Sequence, residues 1–181
     1  MKFVRTPLDG AYIIELEKIG DERGFFSRLY CSNEFNSVNL KNHFVQVNNS
    51  LSKNKGTLRG IHYQMSPMAE TKLVRCVQGA LFDVIVDLRK DSVTYKKWFG
   101  AKLSSDNRQM MYVPEGFGHG FLTLEDSTEV IYFVSESFSP EHEKTLLWND
   151  KEIGIEWPIK PRVISDKDKN NPNFDESFHI F

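Results

Sequence analysis

The chain has 181 residues, a formal charge of -2 from 23 basic and 25 acidic side chains, and 13 % aromatic residues, 14 of them Phe. That length suits one domain with a sizeable core, and the near-balanced charge gives no reason to expect a nucleic-acid partner. Its apolar runs are too short to cross a bilayer, and the Met1-Lys2-Phe3-Val4-Arg5 start has no signal-peptide core. Cys31 and Cys76 fit neither a zinc spacing nor a disulfide scaffold, so a reduced, cytoplasmic protein is expected.

In chain order, residues 1–19 alternate loosely and predict one or two short strands around the Asp9-Gly10 turn. The charged turn Asp21-Glu22-Arg23-Gly24 leads into a further strand over 25–30. Ser32-Asn33-Glu34-Phe35 opens a short helix that ends before Lys41. Residues 44–48 alternate as a strand, and 49–56 read as a polar loop. From 58 to 133 the pattern is period-two almost throughout, with a hairpin over 73–88 cornered at Gln78-Gly79. Further strands are expected at 98–103, 110–113, 120–124 and 129–134, with turn signals about every ten residues. Short strands at that rhythm, with many aromatic residues, predict a mainly β sandwich or barrel. The tail is more polar, with a helix expected over 140–147 and a loop-rich end from 158.

The chemistry concentrates in Gly56-Thr57-Leu58-Arg59-Gly60-Ile61-His62-Tyr63-Gln64. On a regular strand Arg59 and His62 point to opposite faces, so a bend or bulge near Gly60 is needed if both serve one site. Alone, His62 is read more readily as a structural imidazole than as a base, and Tyr132 as a core residue. Together with Arg59 and Lys72 they offer a base, two cations and a phenol, a set suited to moving protons beside a carbonyl.

Pro114-Glu115-Gly116-Phe117-Gly118-His119 resembles the second motif of the cupin superfamily. His62-Tyr63-Gln64 stands where its first motif has His-x-His, and two scattered imidazoles fall short of the three or four donors a metal needs. No metal or cofactor is therefore expected. The run 56–64, Lys72-Leu73-Val74-Arg75-Cys76-Val77, Phe82-Asp83-Val84, Pro114 to Phe121, Asp21-Glu22-Arg23-Gly24-Phe25-Phe26, Leu147-Trp148-Asn149-Asp150 and Ser165-x-Lys167-Asp168 resemble the dTDP-4-dehydrorhamnose 3,5-epimerases nearly from end to end.

That resemblance implies a cupin-like jelly roll over 1–181 with a few short helices, in a homodimer that exchanges N-terminal strands. It implies an epimerase inverting C3, C5 or both in a nucleotide-linked 4-keto-6-deoxy sugar. His62 would be the base, made more basic by Asp168; Lys72 would face the C4 oxygen, and Tyr132 would return a proton from the other side. Arg23, Arg59 and Lys167 match positions that hold the diphosphate or nucleotide, and Gln46 and Asn48 positions that contact base and ribose. His119 and Glu143 match substrate-side positions. Arg28 stands where the family commonly has Glu, and Phe138 where it commonly has a Tyr that stacks on thymine, which opens GDP- or CDP-linked sugars as alternatives. A 3,4-ketoisomerase or a non-catalytic sugar-nucleotide-binding cupin are the rival readings.

Overall fold

The computed structural model describes residues 1–181. Its elements are β1 (Lys2–Arg5), β2 (Tyr12–Glu15), β3 (Ile19–Asp21), β4 (Gly24–Phe26), α1 (Ser32–Ser37), β5 (Gln46–Ser52), β6 (Thr57–Gln64), β7 (Lys72–Gln78) and β8 (Ala80–Asp87). Then follow β9 (Trp98–Ser104), β10 (Met110–Val113), β11 (Phe117–Thr123), β12 (Thr128–Val134), β13 (Glu143–Thr145), β14 (Val163–Ile164), α2 (Asp166–Lys169) and α3 (Glu176–His179).

Two six-stranded sheets carry the architecture, one in the order β1-β2-β10-β7-β12-β5 and one in the order β13-β6-β11-β8-β9, where β14 also joins β6. Only β14 pairs in parallel. The fold is mainly β, as the alternation predicts, and is the cupin-like jelly roll that the family resemblance implies. A small β3–β4 hairpin stands apart from both sheets.

Register decides what the inter-sheet space contains. In the first sheet Asn48, Tyr132, Val74 and Met111 form one cross-strand row, and Gln46, Val134, Lys72 and Val113 the next. Val74, Met111 and Val113 belong to a buried cluster completed by Leu81, Ile85, Leu103, Phe117 and Phe121 of the second sheet. Side chains alternate between faces, so the polar members of these rows face the same interior. Outside the first sheet, Phe35 of α1 packs on Ile14, Leu73 and Tyr112. Outside the second, Ile61, Tyr63, Val84 and Val86 are covered by Leu146 and Ile153.

Three segments differ from expectation. The strand expected over 25–30 ends at Phe26. Residues 49–52 are strand, because polar β5 lines a polar interior rather than an apolar core. No helix forms over 140–147; β13 instead extends the second sheet along the free edge of β6, with Glu143 opposite Gln64 and Thr145 opposite His62. Its backbone groups are satisfied by the ladder, which outweighs the local helix preference.

Between β6 and β11, His119 pairs with His62 but Phe121 pairs with Arg59. Three steps on β6 thus span two on β11, a bulge that brings Arg59 and His62 to one face as the chemistry requires. Gly60 sits in it at φ 118°, where a Cβ would lie 2.5 Å from Gly120 Cα and 2.8 Å from His119 O. Only glycine fits between these backbones. Gly60→Ala should therefore lose more than about 1 kcal/mol of unfolding free energy; an unchanged urea midpoint would contradict this reading of the bulge.

Candidate active site

His62 stands midway along β6, between β11 and β13. β14 covers the first residues of β6, and the chain then turns at Ser165, whose hydroxyl accepts the Asp168 amide and caps α2. This short return places the Asp168 carboxylate 2.6 Å from His62 Nε2. A carboxylate accepts, so the ring proton sits on Nε2 and the lone pair on Nδ1. Nδ1 has no partner and is not among the solvent-sealed atoms, so it opens onto the cavity. Burial works against the Asp168 charge. The hydrogen bond and charge of His62, with donors from Ser165 and the Gly60 amide, outweigh it and hold the carboxyl below its ordinary value.

The cavity beside His62 has a volume of about 470 Å³ and is also lined by Arg59, Lys72, His119, Tyr132, Lys167 and Asp168. A second space of about 400 Å³ shares His62, Lys72 and Tyr132 with it and adds Gln46, Asn48, Glu70, Phe138 and Glu143. His62 belongs to the second sheet, while Lys72 and Tyr132 belong to the first. Base and phenol therefore face one space from opposite walls. Burial first, then the charge of Glu70, raises the Tyr132 phenol above its ordinary value against the opposing pull of Arg59. It is a protonated donor at neutral pH.

Eleven of the thirteen residues singled out from sequence line this joined space. Arg59 makes no ion pair; its guanidinium donates only to Ser52 Oγ at 3.2 Å and Leu51 O at 3.3 Å, leaving its charge available. Lys167 donates to both Glu143 carboxylate oxygens at 2.7 Å, across the mouth shared by the two spaces. Gln46 donates to Asn48 at 2.7 Å on the inner face of β5. Phe138 is 58 % exposed at the rim.

Arg23 and Arg28 line neither space. Arg23 pairs with Asp21 at 2.5 Å on the exposed β3–β4 hairpin, and Arg28 pairs with Glu34 at 2.8 Å. Three participants carry no role assigned from the sequence. Glu70 pairs with Lys72 at 3.0 Å, both nearly buried; Asp83 pairs with His119 at 2.8 Å; and Ser165 caps the helix bearing Asp168. The i, i+2 spacing of Glu70 and Lys72 was a usable signal. Nothing in sequence places Asp83 beside His119.

A jelly roll that opposes a His–Asp base to a phenol and an ammonium across one polar cavity defines an acid–base enzyme suited to carbon–hydrogen bonds next to a carbonyl. Comparison with known proteins narrows the class. Residues 5–176 match the family model of dTDP-4-dehydrorhamnose 3,5-epimerase. The Shigella flexneri dTDP-4-dehydrorhamnose 3,5-epimerase is 46 % identical over 96 % of each chain. The crystal structure of the Elizabethkingia anophelis enzyme of that name superposes with a TM-score of 0.95 at 40 % identity, covering 98 % of both chains. That of Bacillus anthracis, with TDP and PPi bound, gives 0.92 at 46 % identity over 96 % of this chain and 99 % of that one. The chain belongs to the dTDP-4-dehydrorhamnose 3,5-epimerase family, and it is a sugar epimerase. None of its helices is long and apolar enough to cross a membrane.

The depressed Asp168 carboxyl links the site to stability. Its contribution is full above the unfolded value of about 4 and is lost as pH falls through the lower folded value. Asp168→Asn should remove that acid-side step, so its unfolding free energy falls less steeply than wild type below about pH 4. Denaturant unfolding at stepped pH measures this, and equal slopes would refute it.

Proposed function

We propose that the protein inverts C3 and C5 of a dTDP-linked 4-keto-6-deoxy sugar, turning dTDP-4-dehydro-6-deoxyglucose into dTDP-4-dehydrorhamnose. The observation that carries this reading is the placement of His62 and Tyr132 on opposite walls of one cavity. Inversion needs a proton removed from one face of a carbon and returned to the other. The C4 ketone acidifies the hydrogens on C3 and C5. His62 Nδ1 takes one of them, and the C–H electron pair moves to the C4 oxygen as an enolate. The Asp168 carboxylate stabilises the imidazolium that forms, and the Lys72 ammonium offsets the enolate charge, a kind of contribution worth about 3 kcal/mol where it has been measured by deletion. The Tyr132 hydroxyl then protonates the opposite face, the enolate electrons reform the C–H bond, the phenolate regains a proton from solvent, and the His62 imidazolium releases its own to solvent. Side chains carry every step, so no metal or cofactor is assigned to the reaction.

Arg59 and Lys167 are assigned to the diphosphate, with Lys167 exchanging Glu143 for phosphate oxygens. Gln46 and Asn48 take the base and ribose, and the exposed Phe138 ring stacks on thymine. His119 and Glu143 complete the sugar side. Arg28 is tied to Glu34 away from both spaces of its own chain, so its charge bears on the nucleotide only across a dimer.

A cytoplasmic homodimer belongs to the same proposal. β5 lies at a sheet edge, and its outward Val47 and Leu51 are 56 % and 52 % exposed. Ile19 and Phe26 of the β3–β4 hairpin are 74 % and 67 % exposed. A second copy would cover these apolar side chains, with N-terminal strands, among them the β3–β4 hairpin that stands apart from both sheets, exchanging between subunits. Arg23 and Arg28, off both spaces of their own chain, then serve the partner's site. The expected outcome is twice the chain mass in sedimentation equilibrium and a monomer for the Val47→Glu, Leu51→Glu double variant; a monomeric wild type would overturn the dimer.

In D2O the protein with dTDP-4-dehydro-6-deoxyglucose should wash deuterium into C3 and C5, and the exchange should persist in EDTA. His62→Asn should abolish exchange at both carbons, with a rate loss of about 10²–10⁴-fold, while dTDP still binds. Tyr132→Phe should allow abstraction but slow product formation. Binding without exchange by wild type would support a non-catalytic sugar-nucleotide binder instead, and a 3-keto product would support a ketoisomerase.

A further inference from the structure

Asp83, on the inner face of β8, has no exposed surface. One of its carboxylate oxygens lies 2.8 Å from His119 Nε2, while the other is sealed from solvent with no hydrogen-bond partner. A carboxylate this deep, half satisfied and without a cation, is unfavourable for folding. Packing gives it no purpose, since its row neighbours Phe121 and Ala101 are apolar. Its single contact is an imidazole that lines the main cavity. His119 is also the direct cross-strand partner of His62.

We propose that Asp83 is a positioning residue for the epimerisation. It accepts a hydrogen bond from His119 Nε2–H, so that Nδ1 is held as a hydrogen-bond acceptor facing the cavity beside His62. Nδ1 of His119 has no protein partner and, like that of His62, is not sealed from solvent. The chemical group it fits is a hydroxyl of the sugar ring, donated to the lone pair. That bond turns the ring so that the hydrogen to be abstracted faces His62. Two adjacent His–Asp pairs thus divide the work: His62–Asp168 moves the proton and Asp83–His119 fixes the sugar.

The inference rests on the epimerase reading, and Asp83→Asn tests it separately. The substitution keeps shape but not charge, and an amide can pair with either imidazole tautomer. The expected result is a fall in kcat of about tenfold or more and an unchanged Kd for dTDP, which lacks the sugar. The melting temperature should be no lower than wild type. In long-range 1H–15N imidazole spectra the single Nε2–H tautomer of His119, assigned by its absence in His119→Gln, should give way to a mixture. Unchanged kcat with an unchanged tautomer would overturn the proposal. So would lost dTDP binding or a lowered melting temperature, which would make Asp83 a structural residue. Failure of wild type to exchange deuterium would instead sink the epimerase reading, and the tautomer measurement would still stand on its own.

Discussion

The site depends on one irregularity of the backbone, the three-against-two register of β6 and β11 around Gly60. A regular strand turns residues three apart to opposite faces. Without the extra residue, either Arg59 or His62 would point away from the interior, and the guanidinium could not share a cavity with the imidazole. The bulge requires the strands to approach so closely that Gly60 and Gly120 lie back to back without side chains. The same bulge sets His62 directly opposite His119 and aims the Gly60 amide at Asp168. The shared face of Arg59 and His62, the pairing of the two imidazoles and the amide contact to Asp168 thus have one cause.

The two-sheet architecture supplies the second constraint. Acid–base inversion needs groups on both faces of a flat enolate, and a single helix or sheet presents its side chains from one direction. Here the second sheet carries the imidazoles and the first carries Tyr132 and Lys72, with the sugar site left between them where the apolar rows give way to polar ones. The interior side of β5 is polar for the same reason. Gln46, Asn48 and Ser50 occupy positions that elsewhere in the sheet hold Val74, Val113 and Met111. Some packing stability is given up for a hydrated, charged cavity, as is common where function competes with burial.

The sequence was legible where local pattern and interior demand agree. β7, β8, β9, β10 and β12 alternate or run apolar, and their positions followed from period alone. It was misleading where they disagree. The later half of β5 looked like a loop because its inward residues are polar, and β13 looked helical because three residues completing another strand's edge carry no period of their own. Asp83 was illegible because a carboxylate beside His119 is a fact of sheet register, which appears only once strands are paired.

By itself, then, the sequence determined the β-rich class, the family and the candidate residues that the cavity gathers. Those follow from composition, two-residue periodicity and the ordered motifs around His62, His119 and Asp168. Tertiary structure alone decided that Arg59 and His62 share a face, that Asp168 reaches His62 across 106 residues of chain, and that Tyr132 confronts the base from the other sheet. It also decided that Arg23 and Arg28 stay outside their own chain's cavity. The physical reason is that residue type and spacing are local properties, whereas the direction in which a strand residue faces depends on register, bulges and which strands become neighbours.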